Sequence, residues 1–456
     1  MNIHHPALFA IADACKNTSY ENKLWLVGGA VRDFLLNHSL PNDFDIVLEG
    51  DALALANFLY TKKVSHAFPI LYPRFGTALI QIQQTNIELV TARKESYQDG
   101  SRKPEIKPAT LYEDALRRDF TINTLMMNLH TKEILDPLGT GLQDLQKRCL
   151  RTPLDPVKTF QEDPLRMLRA IRFRFQIGCE PIEGLYGAIH TTSERLQMIS
   201  AERIRDELSK MLLLKDADLC FQDLLTTGLL NIFAPELLQM VGVDQGSHHH
   251  LDVWNHSLLT LKYAGQGDLA LSWAALLHDV AKPATKFVEP DGKIHFWSHE
   301  VIGAEIARKI LKRLRYSDRF IEEVALLIKN HMRLGQYDEL SSSAIRRILR
   351  DLGEHLTQLF KLTEADAMAH KPGLLKPDFS RLREQFESVS KETPAHKLKS
   401  PLNGQQIMEL LGIPAGPEVG KVKAFLNEKI LEGQILPGDE KKAKELLKKE
   451  WHLEIF

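Results

Sequence analysis

Apolar and polar positions along this chain repeat with two different periods, and the change falls near residue 150. Before it, LWLV, DFDIVLE, GTALIQI and NIELVTA alternate or stay apolar over a few residues, which reads as strands. AVRDFLL, just after the first of these, has helical spacing, and residues 1–20 read as a short leading helix. The polar stretch Gln83-Gln84-Thr85-Asn86 between two of the strand runs predicts a hairpin. Together these give a small mixed sheet carrying helices. After 150 helical periodicity dominates, with breaks near Pro181, Gly242–Gly246, Pro290–Gly292, Lys371–Pro377 and Pro401–Gly404. The polar, proline-containing stretch Ser390–Ser400 reads as a linker. The expected class is α+β: a mixed-sheet head followed by an all-α body.

A chain of 456 residues is too long for one compact core, so two to four domains are expected. With 44% hydrophobic and 26% charged residues it falls among soluble globular proteins, and no apolar run is long enough to span a bilayer. The opening MNIHHPALFA lacks the basic-then-apolar pattern of a secretory signal. Cys15, Cys149, Cys179 and Cys220 show neither metal-pair spacing nor a disulfide framework, so a reducing cytoplasm is expected. A net charge of −2, from 58 basic and 60 acidic side chains, leaves nucleic-acid binding to local patches. One patch is Arg166, Arg169, Arg172 and Arg174. The other is Lys441, Lys442, Lys444, Lys448 and Lys449, which with Asp439, Glu440 and Glu445 reads as an ordinary solvated helix.

The first constellation with chemistry is Leu26-Val27-Gly28-Gly29-Ala30-Val31-Arg32-Asp33, followed by Asp43-Phe44-Asp45. A strand that ends in Gly28-Gly29 and opens a helix lets backbone N–H groups come close to an anion. Arg32, one turn into that helix, has the reach and fork geometry for a phosphate. Asp43 and Asp45 stand two apart on a strand, so both carboxylates face one side while Phe44 and Ile46 face the other. Such a pair suits Mg²⁺ shared with substrate phosphates. A glycine pair alone is usually a turn, and Asp-X-Asp alone is usually a solvated face; the combination within twenty residues points to a site. Glu88 reads two ways, as a third carboxylate at the metal or as an exposed edge residue.

Further along, YEDALRRDFTIN places Arg117-Arg118-Asp119 at a helix end, either as a local ion pair of little energetic weight or with Arg118 on a triphosphate and Asp119 fixing its neighbours. In EDPLRMLRAIRF, Asp163 suits a helix cap and Pro164 the first helical position. Arg166 and Arg169 then share one helix face, opposite Leu168, Ile171 and Phe175. A carboxylate beside a guanidinium presents both acceptors and donors to a base edge.

Taken in order, LVGGAVRD with DFD, RRDFTIN and EDPLRMLRAIRF resemble the class II tRNA nucleotidyltransferases, the CCA-adding enzymes, and their bacterial poly(A) polymerase relatives. The resemblance is strong over about residues 24–240 and looser beyond, where SPLNGQQIMELLGIPAGPEVG is similar to the family's distal segment. It implies a DNA polymerase beta-type head at 1–150, a helical neck for base recognition at 151–240, an HD domain at 241–372 and a tRNA-binding helical tail at 373–456. It further implies Mg²⁺ on Asp43 and Asp45, nucleotide contacts from Gly29, Arg32, Arg118, Arg166 and Arg169, and a protein template made of Asp163 and Arg166. The implied reaction adds C, C and A to a tRNA 3′ end from CTP and ATP, with poly(A) synthesis or addition of A alone as the alternative. Arg93-Lys94-Glu95-Ser96-Tyr97, with Gly100, Arg102, Lys103 and Pro104, looks like the flexible loop that in the family supports the switch from C to A addition.

A second set runs His256, His278-Asp279, His299, His331 and Asp366, and resembles the HD phosphohydrolase domain. Imidazole and carboxylate donors suit Mn²⁺, Ni²⁺, Co²⁺ or a Zn²⁺-like ion. The resemblance implies a phosphohydrolase acting on RNA ends, which stands as a third reading of the chain. His248-His249-His250 is read as a loop.

Overall fold

A computed structural model describes residues 5–37, 43–96, 105–246, 250–265, 267–334, 339–371, 373, 378–392 and 399–451. The chain divides into two compact units, Met1–Met211 with Leu219–Phe233, and Leu212–Asp218 with Ala234–Phe456.

The first unit is built on a seven-stranded sheet. Its strands are β1 (Leu24–Val27), β2 (Asp43–Leu48), β3 (Ile70–Tyr72), β4 (Thr77–Ile82), β5 (Thr85–Thr91), β8 (Met126–Asn128) and β9 (Ile134–Leu135), and a separate ribbon pairs β6 (Arg93–Ser96) with β7 (Glu105–Pro108). The sheet order is β3-β4-β5-β2-β1-β8-β9, antiparallel except for the central β2–β5 pair. Alternation on β2 and β5 sends Phe44, Ile46, Ile87 and Leu89 into the core and leaves Asp43, Asp45, Asn86 and Glu88 on the open face. Beside those polar groups, Val27, Val47, Ala92, Ala115 and Met126 form a buried apolar floor. On the helical side, Leu165–Ile177 ends at Gly178, whose φ of +69° closes the helix in the left-handed conformation.

The second unit is helical. Val253–Ala264 packs on Leu269–Leu277 and Leu356–Ala369, and His299–Arg313 packs on Asp318–Asn330. Asp252, Asp268 and Ser317 cap three of these helices by accepting from backbone N–H groups three residues on. Leu269–Leu277 is apolar on nearly every face and buried apart from its first residue, so His278-Asp279 at its C-terminal end emerges deep inside the bundle. Further helices follow at Ser342–Leu352, Phe379–Glu392, Gly404–Leu411, Pro417–Leu431 and Glu440–Glu450.

Several expectations change. The turn at 83–84 is tight, Gln83 having φ +56°, and Thr85 and Asn86 are already strand. Short strands occur beyond the expected limit: Glu180–Pro181 pairs with Cys149–Leu150, and Lys286–Val288 pairs with Ile294–Phe296 around the Pro290–Gly292 break. Two or three residues are too few for a period to register. Helix Phe379–Glu392 runs into the expected linker, whose residues 393–398 lie outside the described part. The same holds for Tyr97, Gly100, Arg102, Lys103 and Pro104 of the expected loop, and for His248 and His249.

Candidate active site and a buried histidine–aspartate pocket

Register brings the head residues together. Val27 of β1 lies opposite Asp45 of β2, and Asp45 lies opposite Glu88 of β5. Gly28 therefore follows directly on the strand beside Asp45. Its φ is +73°, and a methyl group added there would lie 3.7 Å from Nη1 of Arg118 and 3.8 Å from Oδ2 of Asp45. Glycine suits the left-handed backbone conformation, while both distances are ordinary van der Waals contacts. Crowding by protein atoms raises the Asp45 pKa; Arg118 opposes the rise and Asp43 adds to it. Glu88 is raised first by the same loss of solvent, then by Asp45, with Arg93 and Arg117 opposing. Mutually repelling carboxylates on one open sheet face form a donor set that suits a divalent cation.

The arginines are held from behind. Asp114, fully buried, accepts from Nε and Nη2 of Arg118 at 3.2 and 3.0 Å through one oxygen. Its other oxygen accepts from Nε and Nη2 of Arg117 at 3.0 and 2.6 Å. Burial alone would raise this carboxyl, but Arg118 and Arg117 outweigh it and hold the pKa below the usual range. The same carboxylate accepts from the backbone N–H of Arg93 at 3.3 Å, and Nε of Arg117 donates to the Arg93 carbonyl at 3.1 Å. Asp114 thus ties the root of the β6–β7 ribbon to Arg118. Its place three and four residues before the two arginines is the signal that the sequence offered and that went unread.

A second chain of contacts joins helix Leu165–Ile177 to the glycine turn. Arg169 donates to Asp119 from Nε at 2.8 Å, Asp119 accepts from Nδ2 of Asn123 at 2.9 Å, and Oδ1 of Asn123 accepts from Nη1 of Arg32 at 2.7 Å. Arg32 also pairs with Asp33 through Nε at 2.7 Å and Nη2 at 2.9 Å. The guanidinium carbons of Arg32, Arg169 and Arg172 lie 5.1, 5.2 and 4.3 Å from the Phe173 ring centre. Burial pushes the Asp119 carboxyl up, but Arg169 and Asn123 bring it down to about 2.

Asp163 and Arg166 are neighbours in sequence with different partners. Asp163 accepts from the backbone N–H of Leu165 at 3.2 Å and pairs with Arg203 at 3.3 Å. The helix begins one residue later than expected, at Leu165, with Pro164 as its N-cap. Arg166 is buried; it donates to the carbonyl oxygens of Arg117 and of Thr159 and faces Glu162 at 3.7 Å.

In the second unit all six expected residues converge, joined by a seventh, His370. Nε2 of His256 lies 2.9 Å from Oδ1 of Asp366, and Nε2 of His278 lies 3.2 Å from Oδ2 of Asp279. Nε2 of His299 lies 3.4 Å from Oδ1 of Asp279 and 3.3 Å from Nε2 of His331. Nδ1 of His278, His299 and His331 contacts the carbonyl oxygens of Ala275, Phe296 and Ile328 at 2.9, 2.8 and 2.6 Å. Those contacts place the proton on Nδ1 and turn each Nε2 lone pair inward. Two facing lone pairs on His299 and His331 repel unless a cation lies between them. Nε2 of His278, on a residue 1% exposed, makes no hydrogen bond. These features fit a divalent ion.

Lys282 places its ammonium 2.7 Å from Oδ2 of Asp279 and donates to Gln245 at 2.6 Å. Burial drives His331 down to about 3. For His278 burial also lowers the pKa, but Asp279 and Asp366 outweigh it and the net shift is upward. Asp279 and Asp366 go the other way: burial would raise them, and the surrounding imidazoles hold both well below the carboxylate range. His370 is four residues past Asp366, at the C-cap of the helix that carries Asp366, a spacing visible in the sequence.

The strand-and-turn site defines the class, a nucleotidyltransferase head, and the comparisons give the family. Residues 24–151 match the "Poly A polymerase head domain", 183–240 the "Probable RNA and SrmB- binding site of polymerase A", and 253–365 the "HD domain". The chain is 33% identical over 427 residues to the A-adding tRNA nucleotidyltransferase of Deinococcus radiodurans, covering 90% of this chain and 92% of that one. It is 30% identical over 431 residues to the CC-adding tRNA nucleotidyltransferase of Thermus thermophilus, covering 91% and 92%. The Bacillus stearothermophilus CCA-adding enzyme, solved in complex with CTP, shares the fold with a TM-score of 0.72 at 22% identity, covering 99% of each chain. The chain belongs to the tRNA nucleotidyltransferase and poly(A) polymerase family and is a nucleotidyltransferase. Among the described residues no helix is long and apolar enough to cross a membrane.

Proposed function

We propose that this chain is a CCA-adding tRNA nucleotidyltransferase of the cytoplasm, using CTP and ATP without a nucleic-acid template. The observation that carries the reading is the register that sets Asp45 beside Glu88 and next to Gly28, with Arg118 closing the same corner. In this reading Asp43 and Asp45 hold Mg²⁺, with Glu88 against them. When bound, Mg²⁺ neutralises developing charge on the attacking 3′ oxygen and the triphosphate. The N–H groups of Gly28 and Gly29, with Arg32 and Arg118, take the phosphates. Asp114 holds Nε and Nη2 of Arg118, so that Nη1 stays turned toward the glycine corner. Asp163 and Arg166 choose the base, and Arg169, fixed on Asp119, supports them. Positioning and charge stabilisation supply the rate gain.

The β6–β7 ribbon, rooted on Asp114, supports completion of the whole CCA end, because it lies where the family's C-to-A switching loop is expected. The test uses tRNA transcripts ending before CCA, before CA and before A, each with CTP, ATP or both. The expected result is CTP addition to the first two and ATP addition to the third. Addition of ATP alone to the CC-ending transcript gives the A-adding reading, which the Deinococcus radiodurans relative favours. Unlimited ATP addition gives poly(A) synthesis instead.

For the buried pocket we infer a divalent ion such as Mn²⁺, Ni²⁺ or Co²⁺ and hydrolysis of phosphate esters at RNA ends. His278→Ala removes this hydrolysis and spares nucleotide addition. A wild-type chain with no such activity in Ni²⁺ or Mn²⁺ refutes the inference.

A further inference from the structure

The short hairpin of Lys286–Val288 with Ile294–Phe296, beside the buried pocket, has two unlike faces. Register sets Phe287 opposite His295 and Lys286 opposite Phe296, so the two pairs take opposite sides of the ribbon. The inner side belongs to the pocket. The Phe296 carbonyl oxygen contacts Nδ1 of His299 at 2.8 Å, and Nζ of Lys282 lies 5.4 Å from the Phe296 ring centre and 2.7 Å from Oδ2 of Asp279. The outer side carries Phe287 and His295, and Trp297, two residues past His295, continues it. Trp297 stacks on His295 with centres 4.9 Å and planes 9° apart, and its ring centre lies 5.1 Å from that of Phe287.

These rings stand largely in water. Trp297 is 60% exposed and Phe287 48% exposed, whereas Trp254 and Trp273 of the same unit are buried. Large aromatic surface left in water marks a place where something else binds. The stacked pair presents a flat π surface, the form that takes a nucleobase, rather than the concave pocket that takes an apolar side chain. Exposed Lys286 and Lys293 stand at the two ends of the hairpin and suit the phosphates of such a ligand. The nearby Glu289 is engaged by His295, whose Nε2 lies 3.0 Å from its Oε1. Trp297 is two residues before His299, so their Cα atoms are at most roughly 7 Å apart. A base stacked on Trp297 therefore keeps the phosphate of its own nucleotide close to the pocket.

We propose that the outer face of this hairpin is a stacking subsite for the last base of a single-stranded RNA end, with Trp297 as its main contact, and that it sets the terminal phosphate of that nucleotide at the pocket. The proposal rests on the phosphate-ester reading of the pocket. Stacking carries no hydrogen-bond code, so any base is accepted. The probe is an adenosine trinucleotide with a 3′-phosphate and a 5′ fluorophore, set beside the same probe with its last nucleotide abasic. Binding to the full-length chain is read by fluorescence anisotropy, and phosphate release in Mn²⁺ or Ni²⁺ is read separately. W297A weakens binding of the intact probe about tenfold, and W297F weakens it less. Loss of the last base weakens wild type about as much as W297A does and costs W297A nothing further. W297A keeps CTP addition and the wild-type melting of the second unit, because the ring lies mostly in water. Wild-type affinity in W297A, or an equal penalty for the abasic probe in both chains, overturns the proposal. A concentration-dependent dimer that W297A abolishes, with RNA affinity unchanged, assigns the face to a second copy and also overturns it. Base-dependent binding through Trp297 without any phosphate release by wild type supports the stacking subsite and overturns the hydrolytic reading beneath it.

Discussion

The head site and the buried pocket both collect carboxylates, and their surroundings push those carboxylates in opposite directions. In the head, Asp43, Asp45 and Glu88 stand on an open sheet face, and the pKa values of Asp45 and Glu88 are pushed up by crowding and mutual repulsion. In the pocket, Asp279 and Asp366 are ringed by imidazoles and Lys282, which hold their pKa values down. Two of the cations that act on the head carboxylates, Arg117 and Arg118, are already engaged by Asp114. On the proposed function the head is thus a half-site whose charge is balanced when metal and triphosphate arrive together, while the pocket already holds Lys282 on Asp279 and inward-facing imidazole nitrogens that suit an ion. That difference fits a substrate-loaded catalytic centre on one side and a resident metal site on the other.

The largest expected effect separates the two. Asp45→Ala removes a carboxylate that no neighbour replaces, and the loss of several kcal/mol of charge stabilisation corresponds to a fall on the order of a thousandfold in the rate of CTP addition. Single-turnover incorporation measures it, and the metal content of the pocket should not move. A fall under tenfold breaks the claim that the head carboxylates act as metal ligands.

Chelation probes the other half. Removing a resident ion held at a hundred times its dissociation constant costs the second unit about 3 kcal/mol, whereas the first unit should melt unchanged if, as proposed, it recruits its ion with substrate. Limited proteolysis during thermal melting, with and without chelator, assigns the shift to a unit. Equal destabilisation of both, or of neither, removes the distinction between a resident and a recruited ion.

Much of the contrast was readable from sequence because it is local. Two aspartates two apart on a strand, a glycine pair before a helix and an adjacent His-Asp all follow from spacing. Glu88 stayed ambiguous because its role depends on the β2–β5 register, and a parallel pair has no turn to fix that register in advance. Asp114 and His370 were legible as helical partners of Arg117, Arg118 and Asp366 but carry no motif of their own. The partners of Asp163 and Arg166 were not legible: Arg203 and the Arg117 carbonyl are forty and forty-nine residues away, brought in only by helix packing.

A third test concerns Asp119, which joins helix Leu165–Ile177 to the glycine turn. Its folded pKa of about 2 lies below the unfolded value near 3.9. The stabilisation is therefore fully present above about pH 4 and is lost as pH falls toward 2, and it amounts to roughly 2 to 3 kcal/mol. Denaturant melts of the first unit should show this slope in wild type and a flatter profile in Asp119→Asn. An identical slope in the variant would assign the acid sensitivity to other carboxylates.

The smallest effect sharpens what the glycine corner does. Gly28→Ala asks an alanine to adopt φ +73°, a strain of roughly 1 kcal/mol in folding stability. The added methyl meets Nη1 of Arg118 and Oδ2 of Asp45 at ordinary van der Waals distances, so the fold should survive. The methyl nevertheless stands at the corner where the phosphates are expected, so KM for CTP should rise several-fold more than the small stability change explains. His278→Ala, which disturbs the pocket, should leave that KM alone. A Gly28→Ala chain that loses about 1 kcal/mol and keeps the wild-type KM would make the glycine pair a turn and nothing more, and would leave Arg32 and Arg118 to hold the triphosphate without help from the backbone.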